Sequence, residues 1–578
     1  MVTTSQATPD QRRPSITERR AALTSRYPQW QPMTIDGLLD RAAAEFGDRE
    51  YVVTDDASFT YHQIKAWSER LAGGLRDLGI GVGDHVAMVM ANYPEFVALK
   101  YAIARVGATC VPINFLNRRD ELGYVLRQSD AKALITMDEF RGLDYLTMLD
   151  ELAPGWEQNG GGAAFPQLSD VVVFSTTGAR CEGARTFEDL NAAEPWSGRS
   201  NPNPQSVSDI LYTSGTTGSP KGAMLRHDQY LRASFGSAYA RAFDDGWRIT
   251  FSLPMYHVFG YAEGMLTVPF VGGAMIAQLQ FDPAATLRAI ERHHCDDVLL
   301  VPTMTRLVLD ELASGNASYD LSSLRAVISS GQRSPAGMFE SIFELMTPDE
   351  VTTGYGMTEV TATMTCTRPE DPRDLLYTQG MQRQVGPSGD ASLGGILVEY
   401  RVVDPLTGAV LGPREIGELR AKGPCVTQGY YGKPEENAAA FDAEGWFGSG
   451  DLGSFDEHGY LTLAGRLKET YRVGGEQVMP TEIEDVLNRH PDVVQAHVVP
   501  VPDDRMGEVG AAWIVLRDGS ATTTDELQRL CAENLARFKV PKYVLTIDVA
   551  DLPTTPSGRA RKFLLSERAI AHLGLSAT

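Results

Sequence analysis

The segment from Ile210 to Leu225 has the residue types of a phosphate-binding loop. It reads ILYTSGTTGSPKGAML, in which an apolar run leads into hydroxyl side chains and glycines. Glycines let the backbone turn sharply and approach a ligand, hydroxyls and free N–H groups donate to phosphate oxygens, and a lysine adds positive charge. The candidate binding residues are Thr213, Ser214, Gly215, Thr216, Thr217, Gly218 and Lys221. Pro220 and Gly222 flank the lysine and exclude a P-loop, whose lysine opens a helix.

The string TSGTTGSPKG resembles the phosphate loop of the adenylate-forming superfamily. This superfamily comprises acyl- and aryl-CoA ligases, adenylation domains of peptide synthetases, and luciferases. The likeness runs from about Ile35 to Leu565 through several motifs in order. It implies ATP and Mg²⁺, an acyl-AMP intermediate, and a small C-terminal domain that rotates between adenylation and thioester formation.

A second motif, Thr353–Glu359 (TGYGMTE), resembles the nucleotide motif YGxTE of the superfamily. The resemblance implies that Tyr355 stacks on adenine and that Thr358 places a hydroxyl near the α-phosphate. It makes Glu359 the ligand of Mg²⁺, a hard cation that prefers carboxylate and phosphate oxygens. The same resemblance assigns nucleotide binding to Thr353, Gly354, Gly356 and Met357.

Three motifs further along the chain complete the pattern. GWFGSGDLG (445–453) implies that Asp451 accepts hydrogen bonds from the ribose hydroxyls. GRLKE (465–469) implies that Arg466 contacts ribose or phosphate and that Lys468 is the hinge of the C-terminal domain. VGGEQ (473–477) implies that Gly475 lines the pantetheine tunnel for coenzyme A.

Two further segments resemble those that form the walls of the substrate and nucleotide pockets in the superfamily. PMYHVFG (254–260) places His257 at the acid pocket, where it could orient or gate the carboxylate, although a structural histidine between two aromatic residues is the alternative. SSGQRS (329–334) stands where the superfamily has SGGAP-like residues beside adenine. Gly331 fits that pattern, whereas Gln332 and Arg333 depart from it. We expect Gly331 and Gln332 to contact the nucleotide.

The main departure from the superfamily is Arg559. LPTTPSGRARK (552–562) stands where the pattern LPxTxSGKxxR has a lysine that stabilises developing charge during adenylation. Arginine keeps the charge but not the geometry of lysine. Three hypotheses follow: Arg559 does the work, Lys562 takes it over, or the acid substrate alters the demand. The first is favoured.

The elements that must position these residues alternate between helix and strand. Predicted helices include Ile35–Phe46, Tyr61–Leu78 and Glu95–Arg105, and predicted strands include His85–Met90 and Thr109–Pro112. The same alternation returns over 248–328. It predicts an α/β fold with two doubly wound layers. Short strand-like segments of alternating apolar and polar residues over 385–453 predict a small antiparallel β unit. The mixture of helix and strand patterns after Arg466 predicts a small, mobile α+β C-terminal domain. The predicted divisions are a flexible tail (1–30), an AMP-binding domain (31–467) and the mobile domain (468–578).

Composition excludes several classes of protein. With 52 Lys+Arg against 75 Asp+Glu, the net charge of −23 argues against a nucleic-acid binder, which needs clustered cations. No apolar run reaches the roughly 20 residues of a membrane-spanning helix, so no integral membrane segment is expected. The six cysteines are scattered without a CxxC pair, which indicates buried thiols in a reduced, cytoplasmic protein rather than a zinc site. The resemblance also allows a homodimer.

Three functional hypotheses remain at this point. The first is an enzyme that adenylates an acid and passes it to coenzyme A. The second keeps adenylation but has another acceptor, such as a carrier-protein thiol or an amine, or activates an unusual oxyanion such as nitrite. The third is a catalytically silent nucleotide-binding relative. Phe259, Tyr261 and Met357 suit an aryl or apolar acid, but core packing would explain them equally well.

Overall fold

The structure is a computed structural model that describes residues 13–178, 183–213, 220–335, 337–555 and 559–575. Residues 214–218 of the phosphate loop lie outside this part of the chain. The described residues form two large sheets, smaller antiparallel units, and a separate sheet near the C-terminus.

The first large sheet has seven strands, and its neighbouring strands are parallel except for the last pair. In spatial order its strands are Glu350–Thr352, Ala326–Ser329, Asp297–Leu300, Arg248–Phe251, Ala274–Ala277, Glu50–Val53 and Ser58–Thr60. Most of these strands are apolar and buried, as expected for a parallel sheet covered on both faces.

The second large sheet also has seven strands, and only its terminal pair, the phosphate-loop hairpin, is antiparallel. In spatial order its strands are Lys221–Arg226, Val207–Thr213, Thr109–Ile113, His85–Val89, Ala133–Met137, Asp170–Phe174 and Arg185–Thr186. The prediction of two α/β layers is therefore confirmed.

Helices pack around these sheets and bury one face each. The α-helices up to residue 341 are Ile16–Arg26, Ile35–Phe46, Tyr61–Asp77, Pro94–Arg105, Arg119–Gln128, Tyr145–Leu152, Trp156–Asn159, Phe187–Asn191, His227–Ala240, Pro283–His293, Pro302–Ser314 and Met338–Ser341. The segments Phe259–Met265 and Ile342–Met346 are π-helical.

Two antiparallel units follow the large sheets. One joins Gly354–Met357, Ala362–Cys366 and Met381–Gln382, and the other joins Glu399–Val403, Gly417–Lys422, Phe447–Phe455 and Leu461–Arg466. The second unit is the antiparallel β unit expected from the sequence. Helix Pro434–Ala440 lies within its connections.

The C-terminal part has its own sheet and core. Its strands are Glu476–Val478, Tyr471–Val473, Gly507–Leu516, Val493–Asp503 and Tyr543–Thr546, and its helices are Pro480–Leu487, Thr524–Asn534 and Lys562–Leu573. This confirms a small α+β unit. The chain passes into it through the short 3₁₀ turn Leu467–Glu469, and the predicted boundary at 467–468 falls in that turn.

Residues 13–30 correct the prediction of a flexible N-terminal tail. Helix Ile16–Arg26 begins with a capping box between Ser15 and Glu18. Its Leu23 is buried, and Arg19 forms a buried ion pair with Glu350 of the first sheet. These contacts join distant parts of the chain, so the polar, arginine-rich local sequence does not reveal them.

Candidate active site

The candidate site is a cavity of about 680 Å³ at the carboxyl ends of strands from both large sheets. Thr213 ends one of these strands, and Leu253, Val301 and Ser330 follow three others. Ligands of open α/β sheets bind at such strand ends, where connecting loops diverge. The antiparallel units complete the walls together with Thr554, Thr555, Arg559 and Arg561 of the C-terminal part.

The phosphate loop is the connection of a β-hairpin. Strands Val207–Thr213 and Lys221–Arg226 are antiparallel, and Thr213 pairs with Lys221 where the described residues resume on either side of the loop. Both residues line the cavity. Tyr124 donates from its hydroxyl to the carbonyl oxygen of Pro220 at 2.9 Å, which anchors the end of the loop. The hairpin therefore presents the Lys221 ammonium at the cavity wall.

The TGYGMTE motif forms a tight hairpin that brings Glu359 to the cavity. A Cβ atom on Gly356 would lie 1.7 Å from the carbonyl oxygen of Ala362, so only glycine fits this close approach. The lining residues from this motif are Gly356, Met357, Thr358 and Glu359. Burial raises the pKa of the half-buried Glu359 carboxyl, and a hydrogen bond from Tyr430 opposes that shift.

Tyr355 and Asp451 lie behind the cavity wall and are hydrogen-bonded to each other. The Tyr355 hydroxyl donates to Asp451 at 2.7 Å, and Asp451 forms an ion pair with Arg466 at 2.8 Å. Asp451 and Arg466 are also paired across neighbouring strands. Arg466 lines the cavity, whereas Tyr355 and Asp451 are both buried.

His257 lines the cavity at the start of the π-helix Phe259–Met265. The backbone N–H of Phe259 donates to its Nδ1 at 3.3 Å, which leaves the proton of the neutral ring on Nε2. Burial lowers the pKa of His257 to about 4. The side chain is therefore a neutral hydrogen-bond donor near pH 7.

Arg559 and Lys562 occupy different surroundings, although they are three residues apart. Arg559 lines the cavity, where burial and the neighbouring Arg466 lower its pKa. Lys562 instead lies between two carboxylates, 3.1 Å from Glu469 and 2.8 Å from Glu484. Lys468 also lines the cavity at its exposed edge. Partial desolvation is the larger cause that lowers its pKa, and the nearby charge of Lys221 is the smaller cause. Several cations thus converge in a chain whose net charge is −23.

The remaining predicted residues divide between the cavity and its surroundings. Gly331 lines the cavity with a φ of +93°, a conformation that favours glycine. Gln332 is half-buried beside it and is not a lining residue. Thr353 is buried and donates from its backbone N–H to the Thr367 hydroxyl. Gly475 is exposed and away from the cavity in this conformation.

Comparison with known proteins decides the family. A model described as "AMP-binding enzyme" matches residues 39–431, and one described as "AMP-binding enzyme C-terminal domain" matches residues 482–559. The chain is an AMP-binding enzyme of the acyl-CoA ligase family.

Full-length relatives of this AMP-binding enzyme are CoA ligases. It is 34% identical over 92% of its length to the 3-[(3aS,4S,7aS)-7a-methyl-1,5-dioxo-octahydro-1H-inden-4-yl]propanoyl:CoA ligase of Mycobacterium tuberculosis, of which 98% is covered. It is 31% identical over 94% of its length to the mitochondrial medium-chain acyl-CoA ligase ACSF2 of Danio rerio, of which 90% is covered. The crystal structure of ATP-bound MatB from Rhodopseudomonas palustris matches with a TM-score of 0.78 and 27% identity, covering 93% of this chain and 99% of that one.

Sequence reasoning missed several residues that line the cavity of this AMP-binding enzyme, among them Tyr430, Glu418 and Glu436. The Tyr430 hydroxyl donates to Glu359 at 2.9 Å. Tyr430 belongs to the turn-rich string QGYYGKPEEN, which lies outside every motif that carries the resemblance. Only its spatial position identifies it.

Two further findings concern the AMP-binding enzyme as a whole. Within the described ranges, no helix combines the length and apolar character that a membrane crossing requires. The five cysteines that lie within those ranges are free and buried: Cys110, Cys295, Cys366, Cys425 and Cys531. Cys181 lies outside them.

Proposed function

We propose that this acyl-CoA ligase joins a monocarboxylic acid to AMP with release of pyrophosphate, and then transfers the acyl group to the thiol of coenzyme A. The observation that carries the proposal is the meeting of Lys221, Glu359, Arg466 and Arg559 around one cavity. These residues lie far apart in the sequence, and their shared position matches a need to bind a triphosphate.

In the first half-reaction the carboxylate of the acid attacks the α-phosphorus of ATP, and pyrophosphate leaves. The carboxylate is itself the nucleophile, so the enzyme needs no general base. Lys221 and Arg559 stabilise the negative charge that develops on the phosphates. Electrostatic groups placed in advance are often the largest contribution to such catalysis.

The Mg²⁺ expected for this reaction fits Glu359. The described residues contain no group of three or more His, Cys, Asp or Glu side chains that could enclose an ion. The Glu359 carboxylate at the cavity wall suits Mg²⁺ held jointly by one protein ligand and the nucleotide phosphates. The ion would supply charge neutralisation and template the phosphates, while Glu359 fixes its position.

Arg559 is assigned the role of the superfamily lysine, and Lys562 is not. Lys562 is held by Glu469 at 3.1 Å and by Glu484 at 2.8 Å, whereas Arg559 lines the cavity and pairs with Glu469 alone, at 3.5 Å. Moving Lys562 into the cavity would break two ion pairs. This contrast supports the first of the three hypotheses for the LPTTPSGRARK segment.

The acid is assigned an uncharged, apolar acyl group. The cavity that His257 lines has apolar walls at Val258, Phe259, Val301, Met357 and Ala362. His257 would donate from Nε2 to a carboxylate oxygen of the acid. Tyr261 is instead buried in the core, where its ring packs edge-to-face against Tyr230.

The second half-reaction is assigned to a rotation about Lys468. This exposed residue lies in the turn that joins the large domain to the C-terminal part, as a hinge requires. The present conformation has Arg559 at the cavity and Gly475 away from it, which suits adenylation. Rotation would exchange the two and open the route for the thiol. The buried free thiols also support a reduced, cytoplasmic setting.

The test is pyrophosphate exchange with a panel of acids, followed by mass spectrometry of the products with and without coenzyme A. We expect exchange with apolar monocarboxylic acids, weak exchange with dicarboxylic acids of equal length, and an acyl-CoA product. An acyl-AMP passed only to a carrier protein or an amine, or nitrite as the sole substrate, would support the second hypothesis. The absence of exchange with every acid would overturn the proposal.

A further inference from the structure

Tyr430 lies between the two charged groups that flank the expected phosphate position. Its hydroxyl donates to Oε1 of Glu359 at 2.9 Å. Its ring lies beneath the Lys221 ammonium, which is 5.3 Å from the ring centroid. This distance is within the range of a cation–π interaction. One side chain therefore contacts the expected metal ligand and the phosphate-loop lysine.

The backbone of Tyr430 is fixed on both sides. Asn437 accepts from the Tyr430 N–H at 2.6 Å and donates to the Tyr430 carbonyl at 2.9 Å. The neighbouring residues pair with the strand that leaves the phosphate loop: Met224 donates to the Gly429 carbonyl at 3.0 Å, and Tyr431 donates to the Gly222 carbonyl at 2.8 Å. The Tyr430 backbone is thus joined to the strand Lys221–Arg226 that follows the phosphate loop.

The contact also determines which oxygen of Glu359 stays available. The hydroxyl donates to Oε1, and no side chain in the described part of the chain donates to Oε2. A carboxylate held by one hydrogen bond keeps its second oxygen oriented, and hydrogen bonds of this kind commonly orient metal ligands. Oε2 would then be the oxygen that remains available to an ion bound to the nucleotide.

The ring keeps two opposite charges apart. Within the described part of the chain, Lys221 forms no ion pair with a carboxylate, although Glu359 accepts a hydrogen bond from the hydroxyl of the ring that Lys221 covers. Without the ring, Lys221 and Glu359 could pair directly. Each would then be less available, the lysine to phosphate and the carboxylate to metal.

We propose that Tyr430 is a positioning residue for adenylation, which orients Glu359 through its hydroxyl and separates Glu359 from Lys221 through its ring. The inference rests on the proposed function, because it assumes that these two groups bind the metal and the phosphates of ATP. It predicts separable effects for the hydroxyl and the ring.

The test compares Tyr430→Phe, Tyr430→Leu and the matched control Tyr431→Phe. Tyr431 is the adjacent residue, does not line the cavity, and donates to Asp130 at 3.0 Å. Titration calorimetry would measure binding of a non-hydrolysable ATP analogue at increasing Mg²⁺. Hydrogen bonds to charged groups have large effects, so Tyr430→Phe should raise the Mg²⁺ needed for half-maximal tight binding by about five- to tenfold. Its affinity for the metal-free analogue should stay unchanged.

Tyr430→Leu should show the same metal defect and should also bind the metal-free analogue more weakly, because Lys221 is then free to pair with Glu359. Both variants should slow pyrophosphate exchange. They should leave the rate of thioester formation from synthetic acyl-AMP within about twofold of the wild-type rate, because that step does not use ATP. Tyr431→Phe should match the wild type in every assay.

Two results would overturn the inference. Wild-type Mg²⁺ dependence in Tyr430→Phe would refute the positioning role alone, and leave the proposed ligase function standing. A wild-type enzyme whose nucleotide binding ignores Mg²⁺ would refute the positioning role together with the metal assignment of Glu359. Neither result depends on knowing the acid substrate, so failure of the proposed ligase reaction is distinguished by the acid panel.

Discussion

At the scale of single residues, Arg559 supplies a cavity cation from the C-terminal part of the chain. Removing a preorganised donor to developing charge typically costs about 10²–10³ in rate. We therefore expect Arg559→Ala to reduce pyrophosphate exchange by about that factor. Thioester formation from synthetic acyl-AMP should be unaffected, because the proposed rotation about Lys468 would take Arg559 out of the site. Arg559→Lys should recover most of the exchange, since it restores the residue that the superfamily uses.

The control for Arg559 is Lys562→Gln, which removes the charge held by Glu469 and Glu484. This variant should lower the melting temperature and keep most of the exchange activity per folded molecule. If Lys562→Gln abolished exchange while Arg559→Ala retained it, the assignment would be reversed.

His257 carries a prediction about pH. Its pKa is lowered to about 4 by burial, so the ring is neutral throughout the range from pH 5.5 to 8. An ordinary histidine would instead gain a proton as the pH fell through about 6.5. His257→Asn should reduce exchange by about tenfold, the effect of one weakened hydrogen bond, because its amide is a shorter donor. The ratio of wild-type to variant rates should stay constant over that pH range. A ratio that changes around pH 6.5 would contradict the lowered pKa.

At the scale of elements, the hairpin of Gly354–Met357 and Ala362–Cys366 depends on Gly356. The clash of an added Cβ is with backbone atoms of Ala362 and Thr363, which cannot rotate away. Gly356→Ala should therefore destabilise the protein by about 3 kcal/mol, at the upper end for overpacking. Because Glu359 follows the hairpin directly, exchange activity should fall as well.

Gly81→Ala is the matched control for the hairpin, because an added Cβ there would meet no atom within 4 Å. Its urea midpoint and exchange rate should equal those of the wild type. Equal midpoints for Gly356→Ala and Gly81→Ala would show that the hairpin tolerates a wider turn.

The elements that the sequence predicted are those defined by local hydrophobic patterns. Strand Thr109–Ile113 and helix Ile35–Phe46 lie within one residue of their predicted bounds. Helix Ile16–Arg26 and the π-helix Phe259–Met265 were missed. The first is stabilised by long-range contacts such as Arg19 with Glu350, and the second contains Glu263, whose partner Arg383 lies 120 residues away. Neither partner is visible in a local pattern.

At the scale of the whole molecule, the same limit applies to the candidate site. Resemblance placed Lys221, Glu359 and Arg559 in one site, and the structure brings them to one cavity. It could not find Tyr430, whose contacts arise only when the phosphate loop and the antiparallel unit meet. Predicting such a residue requires the tertiary arrangement, because tyrosines, lysines and glutamates in a turn-rich segment are equally common on ordinary protein surfaces.

The final prediction concerns the orientation of the C-terminal part. Arg333, which departs from the superfamily pattern, forms an ion pair with Asp485 on helix Pro480–Leu487. The pair joins the large domain to the C-terminal part in the conformation that holds Arg559 at the cavity. Both side chains are partly exposed, so the pair should contribute only about 0.2–1 kcal/mol. It should therefore bias the balance between the two half-reactions by a few fold rather than control it.

Arg333→Glu should lower the rate of pyrophosphate exchange by about two- to fivefold, as expected for an exposed ion pair. Thioester formation from synthetic acyl-AMP should be unchanged or faster, because the competing orientation is weakened. The double variant Arg333→Glu with Asp485→Arg restores the attraction with the charges exchanged and should recover wild-type exchange. Raising the salt concentration should shrink the difference between wild type and Arg333→Glu, since exposed charges are screened. If the double variant were as slow as Arg333→Glu, the effect of Arg333 would not arise from its pairing with Asp485.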